Sequence, residues 1–292
     1  MPFIEDILNY NSISIIGVEK NCGKTVVFNY ILSRLKDKNI TLATTSIGVD
    51  GERVDMVKGS AKPEIKLYPN TLFATASSFY CTRRVTSVLV ATTDITTAMG
   101  KVVIGKTLIE GKVLLGGASS TPMLSALIKQ FKGLGAQMVL VDGALSRHSL
   151  ASPAITDATI LCTGAAVSLN IDILVQTTKF RYEIMTLPLV TNECCDNQVE
   201  VDGMLTDSML DRYMNDGIKS IVVQDFTKIF ISREKYLLLK KRNCTIAVKN
   251  RSKVVAICFN PQSPTGYSLN SEVATERLSN ELGVKVIDVM KQ

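Results

Sequence analysis

Apolar runs alternate with helical patterns along most of this chain. Residues 13–16 predict a first strand, and Val26-Val27-Phe28-Asn29-Tyr30-Ile31-Leu32 carries the spacing of an amphipathic helix over residues 25–35. A second strand is expected over residues 40–49, ending in Asp50-Gly51. Residues 52–80 are less regular, with a strand at 64–68 and a helix near Thr75. Residues 101–109 and 112–115 read as a strand pair joined by a tight turn at Glu110-Gly111. A glycine-rich turn then opens a helix in which Thr121 is the N-cap and Pro122 the first helical residue. Met123, Leu124, Leu127, Ile128 and Phe131 recur there at core-facing spacing. Short apolar runs at 138–141 and 158–162 fit buried strands, the first ending in Asp142-Gly143.

Beyond residue 190 a polar stretch, Asn192-Glu193-Cys194-Cys195-Asp196-Asn197-Gln198, reads as a boundary or an exposed loop. Helices are expected at 207–214, 233–241 and 272–282, strands at 220–223 and 285–289, and a hairpin of 245–248 with 254–259. The pattern is α/β: a mostly parallel open sheet with helices on both faces. Residues 1–190 form a nucleotide-binding domain in this reading. Residues 191–292 form a C-terminal α/β region, either a subdomain of its own or a continuation of the sheet.

Composition narrows the class. With 46% apolar and 21% charged residues the chain has the make-up of a globular protein with a substantial core. No apolar run reaches the roughly 18 residues of a membrane span, and Met1-Pro2-Phe3-Ile4-Glu5-Asp6 lacks a basic leader, so a cytoplasmic protein is expected. The seven cysteines are odd in number, and Cys162 and Cys258 lie in apolar runs, as reduced buried thiols do. Net charge is +6, yet residues 219–253 hold ten Lys/Arg against Asp225 and Glu234, a local +8. Such a segment is most often a solvated face; its functional reading is a docking surface for an acidic protein partner, with nucleic acid the lesser expectation.

The chemistry concentrates in Gly17-Val18-Glu19-Lys20-Asn21-Cys22-Gly23-Lys24-Thr25-Val26. A glycine loop between a strand and a helix turns backbone N–H groups toward one point, where the helix dipole favours an anion. In that arrangement Gly23 admits phosphate close to the main chain, Lys24 meets the outer phosphates and the Thr25 hydroxyl ligates Mg²⁺. A cation at a helix N-terminus opposes the dipole, which makes sense when an anion binds there. Five residues separate Gly17 from Gly23, one more than the common phosphate-loop pattern. Asp50 and Asp142 end predicted strands, where an open parallel sheet gathers its ligands, and both are candidates to hold Mg²⁺ or its water. Each is followed by glycine, so each also fits a plain turn.

The loop resembles the G-x₅-G-K-T phosphate loop of dethiobiotin synthetase and its relatives, the cobyrinate amide-forming enzymes and the wider class of MinD-type ATPases. The likeness covers about residues 10–165. It implies ATP and Mg²⁺ as ligands, with metal held by Thr25, Asp50 and Asp142 and the nucleotide cradled by Gly17, Asn21, Cys22, Gly23, Lys24, Thr25 and Val26. It also implies an adenine contact from Asn260. Lys24 and Asp142 would carry the chemistry. The Lys-Pro pair of the synthetase's second strand is missing from Thr41-Leu42-Ala43-Thr44-Thr45-Ser46, and its E-G-A-G-G segment is here Asp142-Gly143-Ala144-Leu145-Ser146. The second lysine of the dimeric MinD-type ATPases is replaced by Glu19, with Lys20 one position away. A further resemblance, on Thr45-Ser46-Ile47-Gly48-Val49-Asp50-Gly51-Glu52 and Val141-Asp142-Gly143-Ala144-Leu145-Ser146-Arg147, is to an ATPase family associated with reactivation of the B₁₂-dependent lysine aminomutase. It implies an ATPase acting on a partner enzyme.

Other candidates are weaker. His148 is the only histidine and lies in a polar loop, and Arg147 is a candidate phosphate contact. Adjacent Cys194-Cys195 lacks zinc-site spacing. Gly116-Gly117-Ala118-Ser119-Ser120-Thr121 could offer donors to a second anion or a substrate carboxylate. No Asn-Lys-x-Asp guanine reader occurs, which favours ATP over GTP. The expectation is a Mg²⁺-dependent ATPase. The alternatives are an ATP-dependent ligase acting on a small carboxylate and a non-catalytic nucleotide sensor, with a homodimer one assembly open to any of them.

Overall fold

In the computed structural model, residues 3–47, 64–143, 155–191 and 197–291 are described. The elements run α1 (Ile4–Ile7), β1 (Ser12–Gly17), α2 (Lys24–Leu35), β2 (Leu42–Ser46), β3 (Ile65–Leu67), β4 (Leu72–Ala76), α3 (Ser77–Cys81), β5 (Ser87–Thr97), β6 (Gly100–Thr107), β7 (Gly111–Val113), α4 (Thr121–Gly133), β8 (Met138–Asp142), β9 (Ala158–Gly164) and α5 (Ile171–Met185). They continue as β10 (Gln198–Val201), β11 (Leu205–Thr206), α6 (Asp207–Asn215), β12 (Ser220–Val223), β13 (Ile229–Phe230), α7 (Arg233–Lys241), β14 (Thr245–Val248), β15 (Val254–Asn260), α8 (Ser271–Leu282) and β16 (Val286–Asp288).

Nine strands form one sheet in the order β16-β15-β9-β1-β8-β2-β4-β6-β5. The first seven in that order are mutually parallel, and the β5–β6 hairpin closes one edge antiparallel. Strands β1, β8 and β9 are buried almost throughout, because helices cover both faces, and so read as continuous apolar runs. On one face α2 contributes Val27, Phe28 and Ile31 to a core with Ile13, Ile15 and Leu140. On the other, Leu124, Leu127, Ile128 and Phe131 of α4 pack with Ala43, Val139 and Val141. The large sheet flanked by helices matches the α/β expectation.

Residues 198–248 leave this sheet. Their strands β10, β12 and β14 form a separate parallel three-stranded sheet, with α6 and α7 between them in sequence. The chain then returns, and β15 and β16 join the large sheet beside β9.

Several local expectations are corrected. Thr75 lies in strand β4, not in a helix; α3 begins two residues later. The expected hairpin across Glu110-Gly111 does not form: β6 pairs with β4 and β5, and β7 pairs with β3. No turn forms there, since Gly111 opens β7, and tertiary pairing gives the two segments other partners. Likewise β14 and β15 lie in different sheets rather than in one hairpin. The N-cap of α4 is Ser120, one residue before Thr121.

Candidate functional site

Gly17 ends β1 between β9 and β8, and the segment that follows is anchored at once. The Val18 N–H donates to the Cys162 carbonyl at 2.8 Å, and the Glu19 N–H donates to Cys22 Sγ at 3.2 Å. Asn21 (φ 62°) and Gly23 (φ 86°) are both left-handed, a backbone that turns neighbouring N–H groups to one side. Gly23 is the N-cap of α2, and no side chain caps that helix. Glu19, Lys20 and Asn21 are exposed, Cys22 is buried, and Gly23, Lys24, Thr25 and Val26 are half-buried.

The Lys24 side chain folds back across the start of the loop. A Cβ placed on Gly17 would stand 3.3 Å from Lys24 Nζ and 2.8 Å from the Glu19 carbonyl oxygen, so this close approach needs a glycine. Among the described residues no carboxylate forms an ion pair with Lys24. Its ammonium therefore sits over the loop as a positive charge available to an anion.

Asp142 arrives one strand away. It lies in register with Ile15 of β1 on one side and Ser46 of β2 on the other. Backbone bonds fix it there: Gly143 N–H donates to Ile15 O at 3.0 Å, and Ile47 N–H donates to Asp142 O at 2.8 Å. Its side chain is half-buried. The adjacency of β1 and β8 brings this carboxylate to the same end of the sheet as Lys24 and Thr25.

Three thiols lie beneath the loop. Cys162 is in register with Gly17 on one side and Cys258 on the other. Burial pushes the Cys162 thiol well above its ordinary pKa; Cys258, Cys22 and Asp142 add to that shift, and Lys24 opposes it. Burial likewise raises Cys22 to about 11, against the Glu19 N–H and Lys24. These are protonated packing groups at neutral pH rather than nucleophiles.

Asn260 ends β15 and reaches the same loop. A Cβ on Gly23 would lie 2.8 Å from both Asn260 Cβ and Nδ2, so the asparagine packs directly against Gly23. Its Oδ1 accepts from the Gln262 N–H at 3.1 Å and its carbonyl accepts from the Ala165 N–H at 2.9 Å. The residue is nine-tenths buried, which makes it a support under the loop.

The Gly116–Thr121 segment is pinned instead of open. Thr75 Oγ1 accepts from the Gly116 N–H at 3.0 Å and donates to the Leu114 carbonyl at 2.8 Å. Ser46 Oγ accepts from the Gly117 N–H at 3.3 Å and donates to the Leu115 carbonyl at 2.8 Å. The Gly116 and Gly117 N–H groups, two of the donors expected to meet a second anion, are thus engaged by protein hydroxyls. Asp50, Arg147, His148, Cys194 and Cys195 lie outside the described residues.

The basic 219–253 segment is partly offset by carboxylates beyond it. Lys235 pairs with Asp211 at 2.5 Å, Lys240 with Glu183 at 2.6 Å, and Lys249 with Glu200.

One residue near the loop has no counterpart in the sequence reading. Arg181, on α5, lines a small cavity with Ile16, Leu161, Phe226 and Ile229. Burial lowers its guanidinium pKa, and Glu19 of the loop opposes the shift. The spacing of Ile171, Leu174, Val175 and Thr178 after Asn170, which accepts from the Asp172 and Ile173 N–H groups, was the signal for this helix.

Among the described residues no three His, Cys, Asp or Glu side chains are grouped to hold a metal ion, and no helix is long and apolar enough to cross a membrane. A Mg²⁺ held by one hydroxyl, one carboxylate and phosphate oxygens needs no such cage, and Thr25 and Asp142 fit that donor set. Compared with protein-family models, curated proteins and solved structures, the chain gives no match.

Proposed function

We propose that this chain binds ATP with Mg²⁺ at the 17–25 loop and hydrolyses it. The observation that carries the proposal is Lys24, folded back over Gly17 above a loop with two left-handed residues and an uncapped helix start. That arrangement suits a polyphosphate: a left-handed backbone that turns N–H groups to one side, a helix start that no side chain caps, and a cation beside them. Lys24 offsets charge on the outer phosphates, while the loop N–H groups orient them. Thr25 and Asp142 would hold Mg²⁺, which when bound neutralises charge that develops on the phosphoryl oxygens. Asp142 is aimed by its strand rather than by a loop, so its position is set before ligand arrives. Water is the acceptor in this reading. The resemblance to reactivating ATPases makes a partner enzyme the target of the cycle.

The test is calorimetric titration of wild type and Lys24→Ala with ATP and GTP in Mg²⁺, with phosphate release followed in the same samples. Expected are ATP binding and release by wild type, and a loss in the variant of about 100-fold or more in affinity, or roughly 2.7 kcal/mol. Wild type that binds neither nucleotide, or Lys24→Ala that binds as well as wild type, overturns the proposal. Binding without release reassigns the chain to a sensor or a ligase lacking its acceptor.

A further inference from the structure

The free edge of the large sheet carries information that the loop does not. Strand β5 is its last strand, and among the described residues no strand pairs with its outer side; the Arg83 guanidinium reaches Ser87 at its start. Just before β5, residue 84 bridges to Lys112 of β7. Exposed edges in folded proteins are normally interrupted by charge or proline, because unpaired N–H and C=O groups recruit another strand. Here Thr86-Ser87-Val88-Leu89-Val90-Ala91-Thr92-Thr93 has neither. Register shifts between Leu89 and Ala91 and between Thr92 and Thr96 break the in–out alternation of the strand. Val88, Leu89 and Val90 are all exposed, at 44%, 55% and 39%.

The charges on this edge are arranged about that apolar centre. Arg84 lies five residues before Leu89 and Asp94 five residues after it. Both are exposed, and neither has an ion pair among the described residues. An antiparallel copy of the same strand, centred on Leu89, brings the Arg84 end of each chain to the Asp94 end of the other. The apolar trio then meets itself. A parallel copy would instead set like charges side by side. We infer that β5 is a self-complementary docking edge, and that two copies of this chain pair antiparallel through it about a two-fold axis, extending the sheet across both.

Sedimentation velocity on the full chain, up to about 100 µM, tests this. Wild type is expected to dimerise. Leu89→Asp is expected to be monomeric, and Asp94→Arg to dissociate at a roughly tenfold higher concentration, since it sets two arginines against each other twice. The double variant Arg84→Asp/Asp94→Arg is expected to restore the dimer. These positions are exposed, and matching circular dichroism melts would show that each variant folds. A monomeric wild type overturns the inference, as does a dimer untouched by Leu89→Asp or a charge swap that restores nothing. Monomeric wild type that sediments with phosphatidylserine vesicles overturns it too, and gives the patch to lipid.

Discussion

Two glycine-bearing segments, one leaving β1 of the large sheet and one following β7 of the β3–β7 pair, open helices on opposite faces of the large sheet, yet their backbones differ. Residues 17–24 contain two left-handed residues, turn an uncapped helix toward a lysine, and are held from below by Asn260 and the Cys162 carbonyl. Residues 116–121 have no left-handed residue, and the N–H groups of Gly116 and Gly117 are engaged by Thr75 and Ser46. Glycine in the first segment admits Lys24 and Asn260 close to a left-handed main chain. In the second it lets two pieces of the chain touch, since a Cβ on Gly117 would fall inside the contact radius of the Ser46 carbonyl and Thr45 Oγ1. A strand–glycine–helix pattern is therefore not enough to mark an anion site; the left-handed backbone at Asn21 and Gly23 is what sets the first segment apart.

That contrast can be broken experimentally. The largest effect on stability is expected from Gly117→Ala, because the obstructing atoms belong to a buried strand that cannot give way. A loss of about 3 kcal/mol in urea unfolding is expected, with ATP affinity within twofold of wild type. A smaller loss accompanied by weaker ATP binding would make the second segment part of the site. Next comes a pH effect confined to the first segment. Cys22 stays protonated in the folded chain up to about 11, whereas its unfolded value is 9.0. Below pH 9 both states hold the proton and stability is unaffected. Above it the unfolded chain loses its proton first, so stability falls as pH rises through the folded value. Wild type should lose about 2–3 kcal/mol relative to Cys22→Ala between pH 9 and 11. Parallel unfolding curves for the two proteins across that range would place Cys22 in a wetter setting than its burial implies. The smallest effect belongs to Ser46→Ala, which removes the bonds to Leu115 and Gly117 and should cost about 1 kcal/mol without altering ATP titrations.

Much of this architecture was legible in the sequence where local signals and burial agree. The run from β1 through the loop to α2, and the strand that ends at Asp142, follow from apolar pattern and glycine placement alone. The β5–β6 hairpin was not read, because its turn at Ala98-Met99 lacks an Asn-Gly or Asp-Gly pair while Glu110-Gly111 offers a rival. The support that Asn260 gives Gly23 joins residues far apart in the chain, and no local period encodes it. Helix α5 was not read at all, although the Asn170 cap and the spacing of Ile171, Leu174, Val175 and Thr178 carried its signal, and Arg181 was missed with it.

Strand order also sets a timetable. Both neighbours of β1 are synthesised late, so the strand that launches the loop leaves the ribosome roughly 125 residues ahead of the first of them, on the order of ten seconds at about 5–20 residues per second. During that interval Ile13, Ile15 and Ile16 lack the strands that later bury them, whereas β2 and β4 emerge close enough together to pair early. The nascent chain is thus most exposed to chaperone capture at the strand from which the 17–25 loop springs.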